Sequence, residues 1–208
     1  MLQTSTIETE TLSLLKRIME LPFLNDFHLV GGTALALKYG HRLSIDLDLF
    51  GGNEYDKESI ATSLFNEFGA SFVNTGSKAQ WGLFCYINDV KVDIIHYTQP
   101  LLLPIETTSG IRMYHEYDIL AMKVNAILGR GKKKDFWDLA ELLNHYSIQD
   151  CIDAYTKKYP SQQLVISIPN ALTYFEDAEE SETPISLKGQ TWETIKKSIQ
   201  QKVNAFLK

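Results

Sequence analysis

Cysteine is scarce in this chain, and long apolar runs are absent. The 208 residues include two cysteines, Cys85 and Cys151, which are too few and too far apart for a zinc site or a disulfide framework. No stretch of about eighteen apolar residues occurs that would span a membrane. The polar, acidic N-terminus does not resemble a signal peptide either. These absences predict a soluble, cytoplasmic protein that does not enter a membrane.

Two familiar nucleotide-binding motifs are missing as well. The chain has no Gly-x4-Gly-Lys-Ser/Thr segment and no Gly-x-Gly-x-x-Gly fingerprint, which excludes a P-loop and a Rossmann site on sequence grounds. What the chain does have is a formal net charge of −6 and a hydrophobic content of 44%. That composition is sufficient for one large domain or two small ones with a substantial core.

The most informative segment runs from Gly31 to Phe50 and reads GGTALALKYGHRLSIDLDLF. Gly31 and Gly32 let the backbone approach a ligand closely, and Thr33 is placed to cap the helix that follows. The free N–H groups of that helix start would face an anion such as a triphosphate. A Gly-Gly pair taken alone is more often simply a turn.

The end of the same segment, SIDLDLF at residues 44–50, alternates in polarity. A strand there would point Asp46 and Asp48 to one face and the aliphatic side chains to the other. Two carboxylates so close together repel each other unless a cation lies between them, and a divalent metal such as Mg²⁺ is the simplest remedy. A lone Asp-x-Asp is, by contrast, more often a solvated strand edge.

A third carboxylate follows in a predicted hairpin. Residues 81–87 and 90–97 read as strands joined by a tight turn at Asn88-Asp89. Asp93 lies in the apolar run Val-Lys-Val-Asp-Ile-Ile, where a buried, unpaired carboxylate would be costly. We expect Asp93 to bind metal or to act as a base; the alternative is a salt bridge to a nearby Lys or Arg.

These residues carry a family resemblance. The glycine turn, helix and Asp-x-Asp strand resemble the nucleotidyltransferases of the polymerase-beta superfamily. The closer resemblance is to the AbiEii/AbiGii toxin family, through Gly31-Gly32-Thr33 followed by His41-Arg42-x-Ser44-x-Asp46-x-Asp48-x-Phe50. Members of that family are the toxin halves of bacterial abortive-infection (type IV toxin–antitoxin) systems. Arg42 is either a phosphate contact or a salt-bridge partner, and Ser44 either bonds phosphate or satisfies the loop.

A second informative block spans residues 118–144. Apolar side chains at helical spacing predict one helix that ends at Gly129 and Gly131, and a second that begins near Lys134 or Asp135. Between them, RGKKK at residues 130–134 is the only dense basic cluster of the chain. Such a run is usually a solvated face, but here it is also a candidate site for the phosphates of a nucleotide or of RNA.

The resemblance extends to this block through Asp118-x4-Lys123-x2-Ala126-x3-Arg130 and Lys134-Asp135-x2-Asp138-Leu139. It implies that Lys123 contacts the triphosphate, that Asp135 is a further catalytic acid, and that Arg130 and Lys134 belong to the nucleotide site. From the residues alone, Lys123 either snorkels outward or meets an anion, and Asp135 is equally a helix N-cap or first-turn acid. We expect Asp138 to be a structural partner of the basic loop.

The predicted fold is α/β (α+β): a nucleotidyltransferase core with a mixed sheet flanked by helices, and a helical C-terminal half. The core with its N-terminal helix covers residues 1–98, and the helical domain covers residues 99–208. Predicted helices are 7–21 and 58–68 in the core, and 149–159, 161–174 (broken by Pro169) and 192–207 in the C-terminal domain. The acidic stretch at residues 176–182 reads as a surface loop.

The expected function is Mg²⁺-dependent transfer of a nucleoside monophosphate from NTP to an acceptor hydroxyl. Asp46, Asp48 and Asp93 would hold one or two Mg²⁺ ions. The resemblance implies an RNA acceptor, with tRNA expected, and a cognate antitoxin as partner. Two alternatives remain open: a nucleotidyltransferase that modifies a small molecule such as an antibiotic, and a catalytically silent nucleotide-binding protein.

Overall fold

The computed structural model describes all 208 residues, and they divide into two compact units. The first, which we call the sheet unit, comprises residues 1–38, 44–99 and 105–114. The second, the helical unit, comprises residues 39–43, 100–104 and 115–208. None of the helices combines the length and the apolar character needed to cross a bilayer.

The sheet unit is built on one seven-stranded mixed sheet. The order across the sheet is β3-β4-β5-β2-β1-β7-β6, with β2/β5 and β1/β7 parallel and the other neighbours antiparallel. This confirms the predicted mixed sheet. The strands are β1 (His28–Val30), β2 (Leu47–Gly51), β3 (Phe72–Asn74), β4 (Gly82–Ile87), β5 (Val90–His96), β6 (Glu106–Thr108) and β7 (Ile111–Met113).

Three helices accompany the sheet, and each begins close to its predicted start. They are α1 (Thr9–Glu20), α2 (Gly31–Tyr39) and α3 (Lys57–Phe68). The Asp56 side chain caps α3 by accepting from the N–H of Glu58 at 3.1 Å. Their buried apolar residues, such as Leu15 of α1 and Leu64 of α3, complete the core against the sheet.

The hairpin between β4 and β5 forms as the sequence predicts. Asn88 and Asp89 both have positive φ, 50° and 62°, which suits the tight turn that matches the twist of two antiparallel strands. Ile87 pairs with Val90 directly beside it. This turn fixes the register of the whole hairpin and therefore the face on which Asp93 lies.

The helical unit contains α4 (Glu116–Gly129), α5 (Lys133–Leu142), α6 (Ile148–Lys158), α7 (Ile168–Ala171) and α8 (Trp192–Phe206). Capping boxes at Ser147 and Thr191 set the starts of α6 and α8. The predicted helix over residues 161–174 is wrong, because only α7 is helical there. Pro169 lies in the first turn of α7, a position that needs no backbone N–H, so proline begins this helix rather than breaking a longer one.

A buried ion pair ties together three segments of the helical unit. Asp118 of α4 and Lys158 of α6 are fully buried, with Nζ 2.6 Å from Oδ1. The same carboxylate accepts the backbone N–H groups of Leu102 and Leu103 at 2.9 and 3.0 Å. Lys158 also donates to the carbonyl of Pro100 at 2.9 Å. The pair therefore fixes the connector at residues 100–104 onto the helices.

The division into units differs from the predicted boundary between residues 98 and 99. Residues 105–114 belong to the sheet unit because β7 adds to the sheet, with Met113 in register with Leu29. Residues 39–43 belong to the helical unit. There the backbone groups of His41 and Leu43 form hydrogen bonds with those of Leu187 and Ile185. Local sequence patterns do not predict this pairing between distant parts of the chain.

Candidate active site

Asp48 and Asp93 are neighbours across the sheet. The parallel pairing of β2 with β5 puts the two residues in direct register, so their side chains leave the same face. Asp46 lies one residue before β2, which begins at Leu47 rather than at the predicted position farther upstream. Asp46 nevertheless acts together with Asp48 and Asp93, because all three raise the pKa of Lys91. The sequence-predicted carboxylates are thus brought to one region of the sheet unit.

Gly31 makes room for one of these carboxylates. It follows Val30, whose register partner on β2 is Asp48. Gly31 has φ +70°, and a Cβ built on it would lie 2.8 Å from Oδ2 of Asp48. Both the backbone conformation and the close approach therefore require glycine. The start of α2 and the Asp48 carboxylate lie against each other, which explains why the first residue of the Gly-Gly pair is glycine.

Thr33 and Ser44 hold the backbone in front of the acid pair. Thr33 lies in the first turn of α2 and is not its N-cap, which corrects the prediction. Its hydroxyl donates to the carbonyl of Asp46 and lies 2.8 Å from Oγ of Ser44. Since a hydroxyl has one proton, Ser44 must donate to Thr33. Both hydroxyls are buried, and Ser44 satisfies the loop, the second of its two alternatives.

Asp93 forms an ion pair with Lys91. Nζ of Lys91 lies 2.5 Å from Oδ2 of Asp93, while Oδ1 is buried without a hydrogen-bond partner. Burial opposes the charge of Lys91, but the hydrogen bond to Asp93 and the negative charges of Asp93, Asp48 and Asp46 outweigh it and raise the pKa of Lys91. The salt bridge that was the alternative for Asp93 therefore exists, but it satisfies one of the two oxygens.

The donor set fits a hard divalent cation in chemical type. Mg²⁺ prefers oxygen ligands such as these carboxylates, which lie on one face of the sheet. The buried, unpartnered oxygen of Asp93 is an atom that needs a proton donor or a cation. Asp93, Asp48 and Asp46 all raise the pKa of the same lysine, Lys91, which agrees with a shared acidic region.

The helical unit contains a separate, buried network centred on Asp138. Oδ1 accepts from Nε2 of His41 at 2.8 Å and Nε of Arg42 at 2.7 Å, and Oδ2 accepts from Nη2 of Arg42 at 3.0 Å. Nζ of Lys123 lies 2.6 Å from Oδ2. Burial alone would raise the pKa of Asp138, but Arg42, Lys123 and the bond from His41 hold it well below its usual range.

Asp135 extends this network. Nζ of Lys123 lies 3.0 Å from its Oδ1, so the lysine bridges two carboxylates. Burial opposes the charge of Lys123, but Asp138 and Asp135 raise its pKa. Oδ2 of Asp135 is buried without a hydrogen-bond partner, and Nε of Arg130 lies 3.8 Å away. Lys123 meets anions rather than snorkelling, and those anions belong to the protein.

Several sequence interpretations of the network change. Arg42 is a salt-bridge partner, one of its two alternatives, and forms a two-pronged bond to Asp138. Asp138 was expected to pair with the basic loop, but its partners are His41, Arg42 and Lys123. Asp135 is a first-turn acid of α5 and not its N-cap, which is Lys132.

The basic loop at residues 130–134 is only partly available to a ligand. Lys133 is buried; its Nζ donates to the carbonyl of Glu179 at 2.8 Å, and its N–H donates to Oγ of Ser181 at 2.9 Å. The acidic stretch at residues 176–182 is largely exposed, as predicted for a surface loop, and contacts the start of α5 through Glu179 and Ser181. Arg130 and Lys132 remain exposed, and Lys134 is half-buried.

Sequence reasoning missed two residues of these sites. His41 stands in the family motif without a predicted role, yet it donates to Asp138 across a sequence separation of 97 residues. Lys91 precedes Asp93 by two positions, so strand alternation already placed both on one face. The second signal was present in the sequence, whereas the first required the fold.

Comparison with known proteins gives consistent matches. The family described as "Nucleotidyl transferase AbiEii toxin, Type IV TA system" matches residues 13–80 and 84–206. An uncharacterized protein from Aquifex aeolicus (strain VF5) is 32% identical over 211 residues, covering 97% of this chain and 98% of that protein. The closeness in length means that the match concerns the whole chain.

Two solved structures share the fold. MenT4, a nucleotidyltransferase toxin from Mycobacterium tuberculosis H37Rv, superposes with a TM-score of 0.63 at 14% identity, covering 94% of this chain and 84% of that one. A candidate nucleotidyltransferase from Helicobacter pylori superposes with a TM-score of 0.58 at 17% identity, covering 95% of each chain. The predicted nucleotidyltransferase fold class is thereby confirmed.

The Gly31–Asp48 contact can be tested by substitution. We expect Gly31→Ala to lower the free energy of unfolding by about 1–3 kcal/mol more than Gly110→Ala, because an added Cβ must displace the Asp48 carboxylate. Gly110 is a matched control, since its φ is +80° and nothing lies within 4 Å of a Cβ built there. Denaturant unfolding of both variants measures the difference. Equal losses would show that backbone strain alone explains the glycine.

The Asp138 network should appear in the acid stability of the protein. Asp138→Asn removes a buried charge and leaves Arg42 and Lys123 short of a partner, which we expect to cost about 3–5 kcal/mol at pH 7. Because the folded-state pKa of Asp138 is lowered, its contribution is complete above the unfolded pKa of about 4 and declines as the pH falls toward the folded value. The difference between wild type and variant should therefore shrink below about pH 4; unfolding curves that stay parallel there would contradict this assignment.

Proposed function

Since the chain belongs to the family of AbiEii nucleotidyltransferase toxins of type IV toxin–antitoxin systems, we propose that it transfers a nucleoside monophosphate from NTP to an RNA hydroxyl and releases pyrophosphate. The observation that carries the proposal is the register of Asp48 with Asp93 beside the start of α2. Carboxylates and a helix N-terminus at one place combine a cation site with an anion site.

Asp48 and Asp93 are the proposed holders of Mg²⁺, with Asp46 as a further ligand. When bound, the metal would supply charge neutralisation on the transferring phosphate and lower the pKa of the attacking hydroxyl. The protein residues keep the ligands in place. The β2–β5 pairing fixes the spacing of Asp48 and Asp93, while the Thr33 hydroxyl holds the backbone of Asp46.

The first turn of α2 is the proposed cradle for the triphosphate. The first four N–H groups of a helix have no partner within it, and Gly31, Gly32 and Thr33 contribute three of the four in α2. Their partial positive charge favours phosphate. Gly31 leaves room for the Asp48 carboxylate directly beside the helix start, so the proposed cation ligand and the proposed phosphate cradle are neighbours. No side-chain hydroxyl is needed for this binding, which is consistent with the engagement of Thr33 and Ser44 inside the protein.

The nucleotide-binding roles of the helical unit rest on the family resemblance. Two of the three Nζ protons of Lys123 go to Asp135 and Asp138. We propose that the third serves a phosphate oxygen and that Asp135, with its unpartnered Oδ2, is a second acid of the reaction. Arg130 and Lys134 would contribute positive charge to the nucleotide. Arg42 would act through Asp138, which it binds with two hydrogen bonds.

RNA is the proposed acceptor class, with tRNA as the expected member, because of the exposed charges of the basic loop. In a chain of net charge −6, long-range electrostatics disfavour a polyanion, so a local cluster is needed to bind one. Arg130 and Lys132 are exposed at one end of α5. Modification of an RNA needed for translation would halt growth, as befits a toxin of an abortive-infection system. We further propose that a cognate antitoxin neutralises it.

Transfer can be measured directly with purified protein, Mg²⁺, labelled NTPs and total RNA. We expect label to enter RNA with the wild type, and Asp48→Asn to reduce the rate at least about 10³-fold, because it removes a charged ligand of the metal that would neutralise the reacting phosphate. Asp89→Asn is the matched control: it makes the same change in the β4–β5 turn, where positive φ suits asparagine.

The outcomes of this assay separate the alternatives. Absence of label transfer to any RNA, together with transfer to a small hydroxyl compound such as an aminoglycoside, would support the antibiotic-type enzyme. NTP binding without turnover on any acceptor would support the catalytically silent protein. Induced expression adds a cellular readout, since the wild type should arrest growth and Asp48→Ala should not.

The RNA assignment depends on the basic loop. Neutralising two of its charges with Arg130→Gln and Lys132→Gln should raise the KM for RNA about tenfold at moderate salt and flatten its salt dependence, since each lost phosphate contact removes close to one unit of slope. Lys157→Gln with Lys197→Gln removes the same charge from exposed helix positions and should leave the KM unchanged. Equal KM values for both double variants would contradict RNA binding at this loop.

A further inference from the structure

Lys91 and Asp93 stand on the same face of β5, two residues apart. Their side chains meet with Nζ at 2.5 Å from Oδ2, a short, charge-assisted contact. Oδ1 of the same carboxylate is buried and has no hydrogen-bond partner. The carboxylate is therefore half satisfied: a cation sits on one oxygen, and the other oxygen faces no proton donor.

The two partners differ in freedom. Asp93 lies in a central strand, paired with Asp48 on one side and with Phe84 on the other, and its side chain is 13% exposed. The Lys91 side chain is 41% exposed and has four rotatable bonds. If the contact opens, the lysine moves to solvent and the carboxylate stays.

We propose that Lys91 is a resident counter-ion of the acidic site, whose ammonium group neutralises the Asp93 carboxylate until a divalent cation binds it. The proposal rests on the metal site of the proposed function. Three carboxylates on one face repel one another, and the lysine lowers that repulsion in the ion-free protein. Because the ammonium group and a metal ion compete for the charge of the same carboxylate, Lys91 weakens the affinity for a free cation.

The competition between Lys91 and a metal ion affects whether the metal binds alone or together with the nucleotide. A free divalent cation must displace Lys91 using the carboxylates alone. A cation carried by a triphosphate brings extra oxygen ligands, and the phosphates offer the displaced ammonium group a new anion. Lys91 therefore favours uptake of metal together with nucleotide and disfavours a permanently metal-loaded site. It acts as a positioning residue rather than as a catalytic one.

Manganese binding to the full-length protein tests the competition without an activity assay. Free Mn²⁺ is followed by electron paramagnetic resonance during titration of wild type, Lys91→Met, Lys91→Arg and Asp93→Asn. We expect Lys91→Met to bind Mn²⁺ about tenfold more tightly than wild type, the size of a partly exposed, charge-assisted contact. Lys91→Arg should stay near wild type, and Asp93→Asn should lose the site.

A matched control removes the same charge elsewhere in the sheet unit. Lys78 is exposed and lies in the loop before β4, so Lys78→Met should leave Mn²⁺ affinity unchanged within about twofold. The rise in melting temperature on adding Mn²⁺ gives a second readout for each variant, and it should be larger for Lys91→Met than for wild type. Lys91→Gln serves the same purpose if the methionine variant does not fold.

The results distinguish this inference from the proposed function. If wild type binds Mn²⁺ through Asp93 and Lys91→Met binds no more tightly, the resident counter-ion is overturned while the metal site stands. If no variant, including Lys91→Met, shows binding that depends on Asp93, both the metal site and the counter-ion are overturned. A comparable gain in Lys78→Met would reduce the effect to general electrostatics and would also overturn the inference.

Discussion

The parallel pairing of β2 with β5 is the constraint on which the sheet unit depends. It places Asp48 beside Asp93 without any adjustable loop between them. A protein that puts two ionised side chains next to each other must offset their repulsion locally. Lys91 does so from the same strand as Asp93, and the missing side chain of Gly31 leaves Asp48 the space it occupies. The strand pairing, Gly31 and Lys91 thus act together to accommodate the two neighbouring carboxylates.

The helical unit also contains neighbouring carboxylates, but it neutralises them with buried cations. Asp135 and Asp138 are compensated inside the protein by Arg42 and Lys123, so two negative and two positive charges balance in a buried network. Because an ionised carboxylate only accepts hydrogen bonds, the Nε2 atom of His41 must carry a proton. Such a network is rigid, since any loss of one partner leaves a buried charge. It holds the ammonium group of Lys123 between Asp135 and Asp138.

Local sequence patterns predicted much of the fold, and long-range partners account for most of what was missed. Alternation around Asp48 and Asp93 and the turn at Asn88 are encoded within a few residues, and they form as expected. The short strands β1, β3, β6 and β7 span three residues each, too few for a periodic signal.

The site shows the same limit more sharply. Asp138 was assigned to the nearby basic loop because proximity in sequence was the only guide, whereas its partners His41 and Arg42 lie almost a hundred positions upstream. Threonine is a common helix N-cap, which is why the sequence predicts that role for Thr33. In the structure its hydroxyl instead donates to the carbonyl of Asp46. Residue type fixes what a side chain can bond, and only the fold decides which partner is within reach.

The buried pair of Asp118 and Lys158 sets unequal limits on how these two positions can evolve. Lys158 neutralises the carboxylate and donates to the carbonyl of Pro100, so an uncharged donor can replace it once the acid also loses its charge. Asp118 has a second duty, since it is the acceptor for the N–H groups of Leu102 and Leu103. An apolar residue at this position would leave both N–H groups without an acceptor, whereas asparagine still provides an acceptor oxygen. Divergence should therefore be wide at the lysine and narrow at the aspartate, with the first change to asparagine rather than to leucine.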